Sequence, residues 1–295
     1  MTQTSDSISA AAAGTVQLGD LSVNRLGFGA MRLTGKGIWG PPEDRNAALA
    51  TLRRAVEMGV NFIDTADSYG PGISEELIAE ALSPYSKGVV VATKGGWERV
   101  GPGQWIHNAG PKHLEEAVEG SLERLRLDHI DVYYLHIPDA AVSFDASVGA
   151  LARLREQGKI RHVALSNVTL EHLQRAQKIV PIVAVQNRYG FADREWDYLL
   201  DHCEAHGITF VPWAPLGQNR QANQILEEIA KKLGATPLQV ALAWLLRRSP
   251  VIAPIPGTSS VAHLEQNVAA AGLKLPEEDF KKLSDITPPP ANYRE

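Results

Sequence analysis
The sequence predicts an α/β protein of the (β/α)8 TIM-barrel class. Two observations carry that prediction. From residue 25 onward, eight short runs rich in Val and Ile are apolar nearly throughout rather than alternating. Strands buried on both faces read this way, as parallel strands with helices outside do. The stretches between them carry apolar residues at helical spacing. Eight strand–helix units in roughly 250 residues suit a closed barrel. An open, doubly wound sheet uses the same units and is the competing architecture.

The elements follow in order. Residues 1–13 read as a flexible tail and 14–290 as one domain, because no linker, repeat or composition shift divides the chain. Val16 and Leu18, then Leu21 and Val23, flank a Gly19-Asp20 turn, which predicts an N-terminal β-hairpin closing the barrel floor. The eight strand candidates are Arg25–Phe28, Val60–Thr65, Val89–Lys94, Ile130–His136, His162–Asn167, Ile182–Asn187, Ile208–Trp213 and Val251–Pro256. Leu114, Ala117, Val118, Ser121, Leu122 and Leu125 share one helix face, and Leu49, Leu52 and Val56 share another. Gly59, Gly158 and Gly207 stand where helices end.

Composition narrows the function. The 295 residues carry 29 Lys+Arg against 34 Asp+Glu, a net charge of −5 without a basic block, which argues against nucleic acid as a partner. Cys203 is the single cysteine, so no disulfide forms within the chain, and a cytoplasmic location fits. No run approaches a membrane span, and the N-terminal fifteen residues lack the Lys or Arg of a secretory leader. The expected partner is a small molecule, and the expected state a monomer or weak oligomer.

In such a barrel, chemistry sits where strands finish. Strand two ends in Asp64, strand three in Lys94 and strand four in His136, with Tyr69 just beyond Asp64. Taken singly, an Asp there is a helix cap, a Lys is solvated and a His is structural. Together they converge on the mouth. The run before Lys94 draws its stem inward, and a half-buried ammonium needs a partner, which Asp64 is placed to be. A positive Lys94 would lower the Tyr69 pKa, letting the phenol protonate a carbonyl oxygen while His136 orients it.

These pieces resemble the aldo-keto reductases. FIDTADSYG (62–70), VATKGG (91–96), YYLHIPD (133–139), ALSN (164–167), VQNRYG (185–190), WAPLG (213–217) and IPGTSSVAHLEQN (255–267) stand in family order. The resemblance implies a catalytic tetrad of Asp64, Tyr69, Lys94 and His136 and a nicotinamide cofactor extended across the mouth. It implies Ser166, Asn167 and Gln186 at the carboxamide, Trp213 stacked on the nicotinamide, and Ala214, Leu216 and Gly217 at the pyrophosphate. It places Gly257, Thr258, Ser259, His263, Gln266 and Asn267 at the adenosine end. In the family pattern a Lys and an Arg grip the 2′-phosphate. Here Gly257 and His263 replace them, and Gln266 replaces a Glu. NADPH remains the expected cofactor, with NADH as the second choice, because backbone amides and hydroxyls at a helix start still hold phosphate.

Met31, Arg32, Trp39, Trp97 and Trp105 lie on loops after strands one and three and are read as substrate-lining, which suggests a bulky or ring-bearing carbonyl. A satellite apolar cluster under the loops is the alternative reading of these tryptophans. The G-x-G-x-x-G at Gly35–Gly40 runs into Pro41-Pro42 and so does not open a helix. His202, Cys203 and His206 lack a visible third metal ligand, so no metal is expected. The expected function is NAD(P)H-dependent reduction of an aldehyde or ketone to an alcohol. The alternative is an NADP(H)-binding regulatory or partner subunit with little turnover.

Overall fold
The computed structural model describes residues 8–216 and 220–286. Its N-terminal hairpin pairs β1 (Thr15–Leu18) with β2 (Leu21–Asn24) in antiparallel register, and Gly19 supplies the positive φ of 68° that the tight turn requires. Beyond it come β3 (Phe28–Gly29), β4 (Phe62–Asp64) and β5 (Val90–Gly95). A second hairpin follows, of β6 (Trp97–Gly101) and β7 (Gln104–His107). Then come β8 (Ile130–Leu135), β9 (Ile160–Ser166), β10 (Ile182–Gln186) and β11 (Thr209–Phe210). One parallel sheet runs β3-β4-β5-β8-β9-β10-β11.

The eighth run, Val251–Pro256, closes the barrel without forming a regular strand. Ile252 bridges Phe210, and Ala253 N–H donates to the Phe210 carbonyl at 2.9 Å. On the other side, Gly27 and Gly29 amides donate to the carbonyls of Pro254 and Pro256 at 3.0 and 3.5 Å. Pro254 and Pro256 have no N–H to return, so the ladder stays one-sided. The first strand also differs from expectation: it begins at Phe28, because Arg25 serves as a strut, donating to the carbonyls of Leu246, Ser249 and Ile252.

Ten helices are described: α1 (Arg45–Glu57), α2 (Ile73–Leu82), α3 (Pro111–Leu125), α4 (Phe144–Glu156), α5 (Leu170–Gln177), α6 (Asp197–His206), α7 (Arg220–Leu233), α8 (Pro237–Arg248), α9 (Val261–Ala269) and α10 (Glu277–Ser284). Local chemistry sets their starts. Asp44 accepts from the Ala47 amide, and Thr236 and Gln239 form a reciprocal capping box with Pro237 in the first turn. Residues 8–13 are not a flexible tail. Ala10–Ala13 form a 3₁₀ turn, Ser9 Oγ donates to the Met58 carbonyl, and Ala10 is fully buried. The run of small residues lets this turn pack closely against the end of α1.

Strand alternation sorts the side chains into two layers. Phe62, Val90, Ala92, Val132, Tyr134, Ala164, Ala184, Val211 and Ala253 fill the barrel interior, plugged from below by Val16, Leu18 and Val23 of the hairpin. Their neighbours Ile63, Val91, Tyr133, Leu135, Val163 and Val185 face the helices. The period of two therefore carries the interior positions of β4, β5, β8, β9 and β10 on to Asp64, Lys94, His136, Ser166 and Gln186. A polar cup above an apolar interior follows from that arithmetic.

Candidate active site
At the centre, Lys94 Nζ donates to Asp64 Oδ1 at 2.5 Å and to the Thr65 carbonyl at 2.7 Å. Gln186 Nε2 donates to the second Asp64 oxygen at 2.8 Å, so both carboxylate oxygens are held. Tyr69 sits on the turn between β4 and α2, with its amide on the Ala66 carbonyl and its own carbonyl on the Ser74 amide. Lys94 Nζ lies 5.4 Å from the Tyr69 ring centroid. The His136 ring meets Tyr69 edge-on, with centroids 6.0 Å apart. All four side chains are buried, none more than 8% exposed. The structure thus brings together the three residues singled out at strand ends, Asp64, Lys94 and His136, with Tyr69 from the turn beyond Asp64.

Electrostatics follow from that burial. Burial pulls Lys94 down, but Asp64 and Tyr69 outweigh it and hold the ammonium above its ordinary value. Burial raises Asp64, with Lys94 opposing. Burial and then the Lys94 charge push His136 well below its usual value, so its ring is neutral. Tyr69 departs from expectation. Burial raises it, and the Lys94 charge and hydrogen bond only partly offset this, so in the ligand-free chain the phenol is raised rather than lowered. His136 Nδ1 and the Tyr134 hydroxyl are buried without a hydrogen-bond partner among the described residues.

Around this centre lie the polar strand ends. Ser166 and Gln186 are buried, and Asn167, at φ 57°, donates from Nδ2 to the His136 carbonyl and to Ser166 Oγ at 3.0 and 3.1 Å. Asn187 clamps Val168 through both its amide atoms. Trp213 is half-buried and bridges Arg188, and Ala214 then takes φ 51°, after which Leu216 is exposed. Gly217 lies outside the described residues.

The turn before α9 is more open. Thr258 and Asn267 are buried, while Gly257, Ser259, His263 and Gln266 are exposed. Ser260 caps α9 by accepting from the His263 amide. A Cβ at Gly257 would stand 2.5 Å from the Gly29 carbonyl oxygen, so a side chain does not fit at this crossing of the closing segment and β3. The same Cβ position is 3.6 Å from Arg32 Cγ, which places an exposed arginine stem beside this turn.

Of the expected substrate residues, Met31 lies in a 3₁₀ turn (Ala30–Leu33) and is half-buried. Trp39, Trp97 and Trp105 gather beside the tetrad. Trp97 meets His136 edge-on at 6.4 Å and Trp105 at 5.6 Å. Trp97 and Trp105 stand on β6 and β7, not on loops as expected. The Gly101-Pro102-Gly103 turn between alternating residues was the signal for that hairpin. Sequence reasoning also passed over Arg99, buried between Trp105 and Trp39 with its guanidinium carbon 3.7 and 5.5 Å from their ring centroids. It likewise passed over Glu75, buried behind the tetrad on Thr93 and Arg124.

His202 and His206 stack on α6 with centroids 4.0 Å apart. Among the described residues no group of three or more His, Cys, Asp or Glu is placed to hold a metal ion. No described helix is long and apolar enough to cross a membrane.

Chemically, the cup offers a phenol, an ammonium held by a carboxylate and a neutral imidazole, all shielded from water. That set can donate a proton to an oxygen brought against it. Comparison with known proteins matches residues 25–288 to the aldo/keto reductase family. An uncharacterized oxidoreductase of Schizosaccharomyces pombe is 47% identical over 286 residues, covering 96% of this chain and 93% of that protein. Pyridoxine 4-dehydrogenase of Escherichia coli is 46% identical over 280 residues, covering 92% and 98%. Among solved structures, an aldo/keto reductase from Klebsiella pneumoniae in complex with NADP and acetate superposes with a TM-score of 0.79 at 29% identity, covering 94% of this chain and 96% of that one.

Proposed function
Because the chain belongs to the aldo/keto reductase family and is an oxidoreductase, we propose that it is an NADPH-dependent carbonyl reductase whose proton donor is Tyr69. The observation that carries this reading is the buried Asp64–Lys94 pair beside the Tyr69 and His136 rings. The residues present fit a nicotinamide cofactor. Buried Ser166 and Gln186, with Asn167 beside them, supply amide and hydroxyl groups for a carboxamide, and Trp213 offers a ring face. Ala214, Leu216 and Gly217 would pass the pyrophosphate, and Gly257, Thr258, Ser259, His263, Gln266 and Asn267 would hold the adenosine end. The Klebsiella pneumoniae relative with NADP supports that assignment. When bound, the nicotinamide supplies the hydride.

The chain's own groups do the rest. Lys94 stays charged because Asp64 holds it, and its charge favours the developing phenolate as Tyr69 Oη gives up its proton to the substrate oxygen. Gln186, by fixing the other Asp64 oxygen, keeps that carboxylate from turning away. Neutral His136 hydrogen-bonds and orients the substrate oxygen without competing as an acid. In the reverse direction Tyr69 is the base. The aromatic rim of Trp39, Trp97 and Trp105 favours a ring-bearing aldehyde or ketone. We further read Arg32 as the cation of the adenosine end, since Gly257 has no room for one. The reading places the chain in the cytoplasm as a monomer or weak oligomer.

The test is loss of 340 nm absorbance with an activated aromatic aldehyde, run in parallel with NADPH and NADH. Aldehyde-dependent consumption, faster with NADPH, is expected. Consumption of neither across a panel of aldehydes and ketones would sink the proposal.

A further inference from the structure
Arg99 is a buried cation that makes no ion pair among the described residues. Its guanidinium is spent on backbone. One terminal nitrogen donates to the carbonyls of Ile38 and Ser68, both at 3.0 Å, the other to the Gly37 carbonyl at 3.2 Å, and Nε to the Gln104 carbonyl at 3.2 Å. The four acceptors belong to three pieces of the mouth. Gly37 and Ile38 lie in the 35–40 loop, Ser68 immediately precedes Tyr69, and Gln104 opens β7.

A second set of bonds ties the same pieces. Trp39 bridges Gly70, the residue after Tyr69, with Gly40 N–H on the Gly70 carbonyl at 2.8 Å and Gly70 N–H on the Ile38 carbonyl at 3.3 Å. The 35–40 loop is thus zipped to the Tyr69 turn, and Arg99 rivets the β6–β7 hairpin to both. A guanidinium suits this place because its planar fork reaches several carbonyls at once while its face lies on Trp105. Among the described residues the Arg99 hydrogen bonds reach backbone carbonyls and neither a tetrad side chain nor a strand-end polar group, so its effect runs through the loops it joins.

We infer that Arg99 is a positioning residue that holds the three tryptophans as a preformed slot for a flat, ring-bearing carbonyl and ties that slot to the backbone beside Tyr69. This rests on the carbonyl-reductase reading. A ring filling the slot would be held with its carbonyl against Tyr69 and His136. A short aliphatic carbonyl, too small to use the slot, would depend on the tetrad alone.

The experiment compares the parent enzyme with Arg99→Ala and Arg99→Lys. It measures kcat and KM with benzaldehyde and with propanal, the NADPH dissociation constant by tryptophan quenching, and the near-ultraviolet circular dichroism of the packed tryptophans. For Arg99→Ala, kcat/KM for benzaldehyde is expected to fall about 100-fold, mainly through KM. For propanal the change is expected to stay within about threefold, with NADPH binding retained and the aromatic dichroism weakened. Arg99→Lys, which keeps charge but not the fork, should recover only part of the benzaldehyde loss. An equal loss for both aldehydes, or no loss for either, would overturn the inference. If the parent reduces neither aldehyde, the carbonyl-reductase reading fails. The dichroism arm still decides whether Arg99 orders the tryptophans, and an unchanged spectrum in Arg99→Ala would overturn that on its own.

Discussion

The tetrad and the turn before α9 are held in opposite ways. At the tetrad, every side chain is buried, both Asp64 oxygens and the Lys94 ammonium are bonded, and the partners come from several strands. At the turn, Gly257, Ser259 and His263 are exposed, and the bonds that shape it are local caps from Thr258 and Ser260. Changing a tetrad residue leaves a buried charge or dipole unmet. The exposed Ser259 and His263 side chains bear no such load, whereas Gly257, exposed as it is, has no room for a side chain against the Gly29 carbonyl. On the proposed reading, reaction chemistry is built into the barrel, whereas cofactor preference rests on exposed side chains around the turn, which is where this chain departs from the pattern the family resemblance implies.

The sharpest break of that contrast is Lys94→Met. It leaves Asp64 buried opposite a thioether, and the expected cost is about 3–5 kcal/mol of stability, read by denaturant unfolding, together with loss of aldehyde reduction. Unchanged stability would mean the pair is not integral to the barrel. At the turn, Arg32→Ala should weaken NADPH binding by about tenfold while leaving NADH within about twofold, with an unchanged unfolding midpoint. An equal effect on both cofactors would remove Arg32 from the 2′-phosphate.

The smallest effect is on pH dependence. If Tyr69 is the proton donor as proposed, reduction uses the protonated phenol, so its rate is lost as pH rises through the Tyr69 pKa, and oxidation gains over the same range. With Tyr69 raised above its ordinary 10.0 by burial, reduction should stay level through neutral and mildly alkaline pH. A limb near neutrality in kcat would show that bound cofactor and substrate reverse the effect of burial.

Much of this was legible before the structure. Asp64, Lys94 and His136 stand out because polar residues end otherwise apolar runs, and the structure adds the parity, with Phe62, Ala92 and Tyr134 two residues earlier in the interior. The Gly19 turn announced the floor hairpin. What escaped has physical reasons. The closing segment reads as a strand, yet Pro254 and Pro256 deny it amide donors. Residues 9–13 look featureless because the contacts that order them, to Met58 and Gly59, come from a distant part of the chain. Arg99 lies on the solvent-facing loops in any local reading, and only the tertiary approach of three segments buries it. The raised Tyr69 is likewise a matter of depth, which a list of neighbouring charges does not contain.

The measurement that tests the central claim most directly is Tyr69→Phe, which removes one oxygen and keeps the ring. NADPH binding, followed by tryptophan quenching, should stay within about twofold of the parent, while aldehyde reduction falls by roughly 10²–10⁴-fold. A variant that binds NADPH and reduces the aldehyde at the parental rate would show that the proton comes from elsewhere.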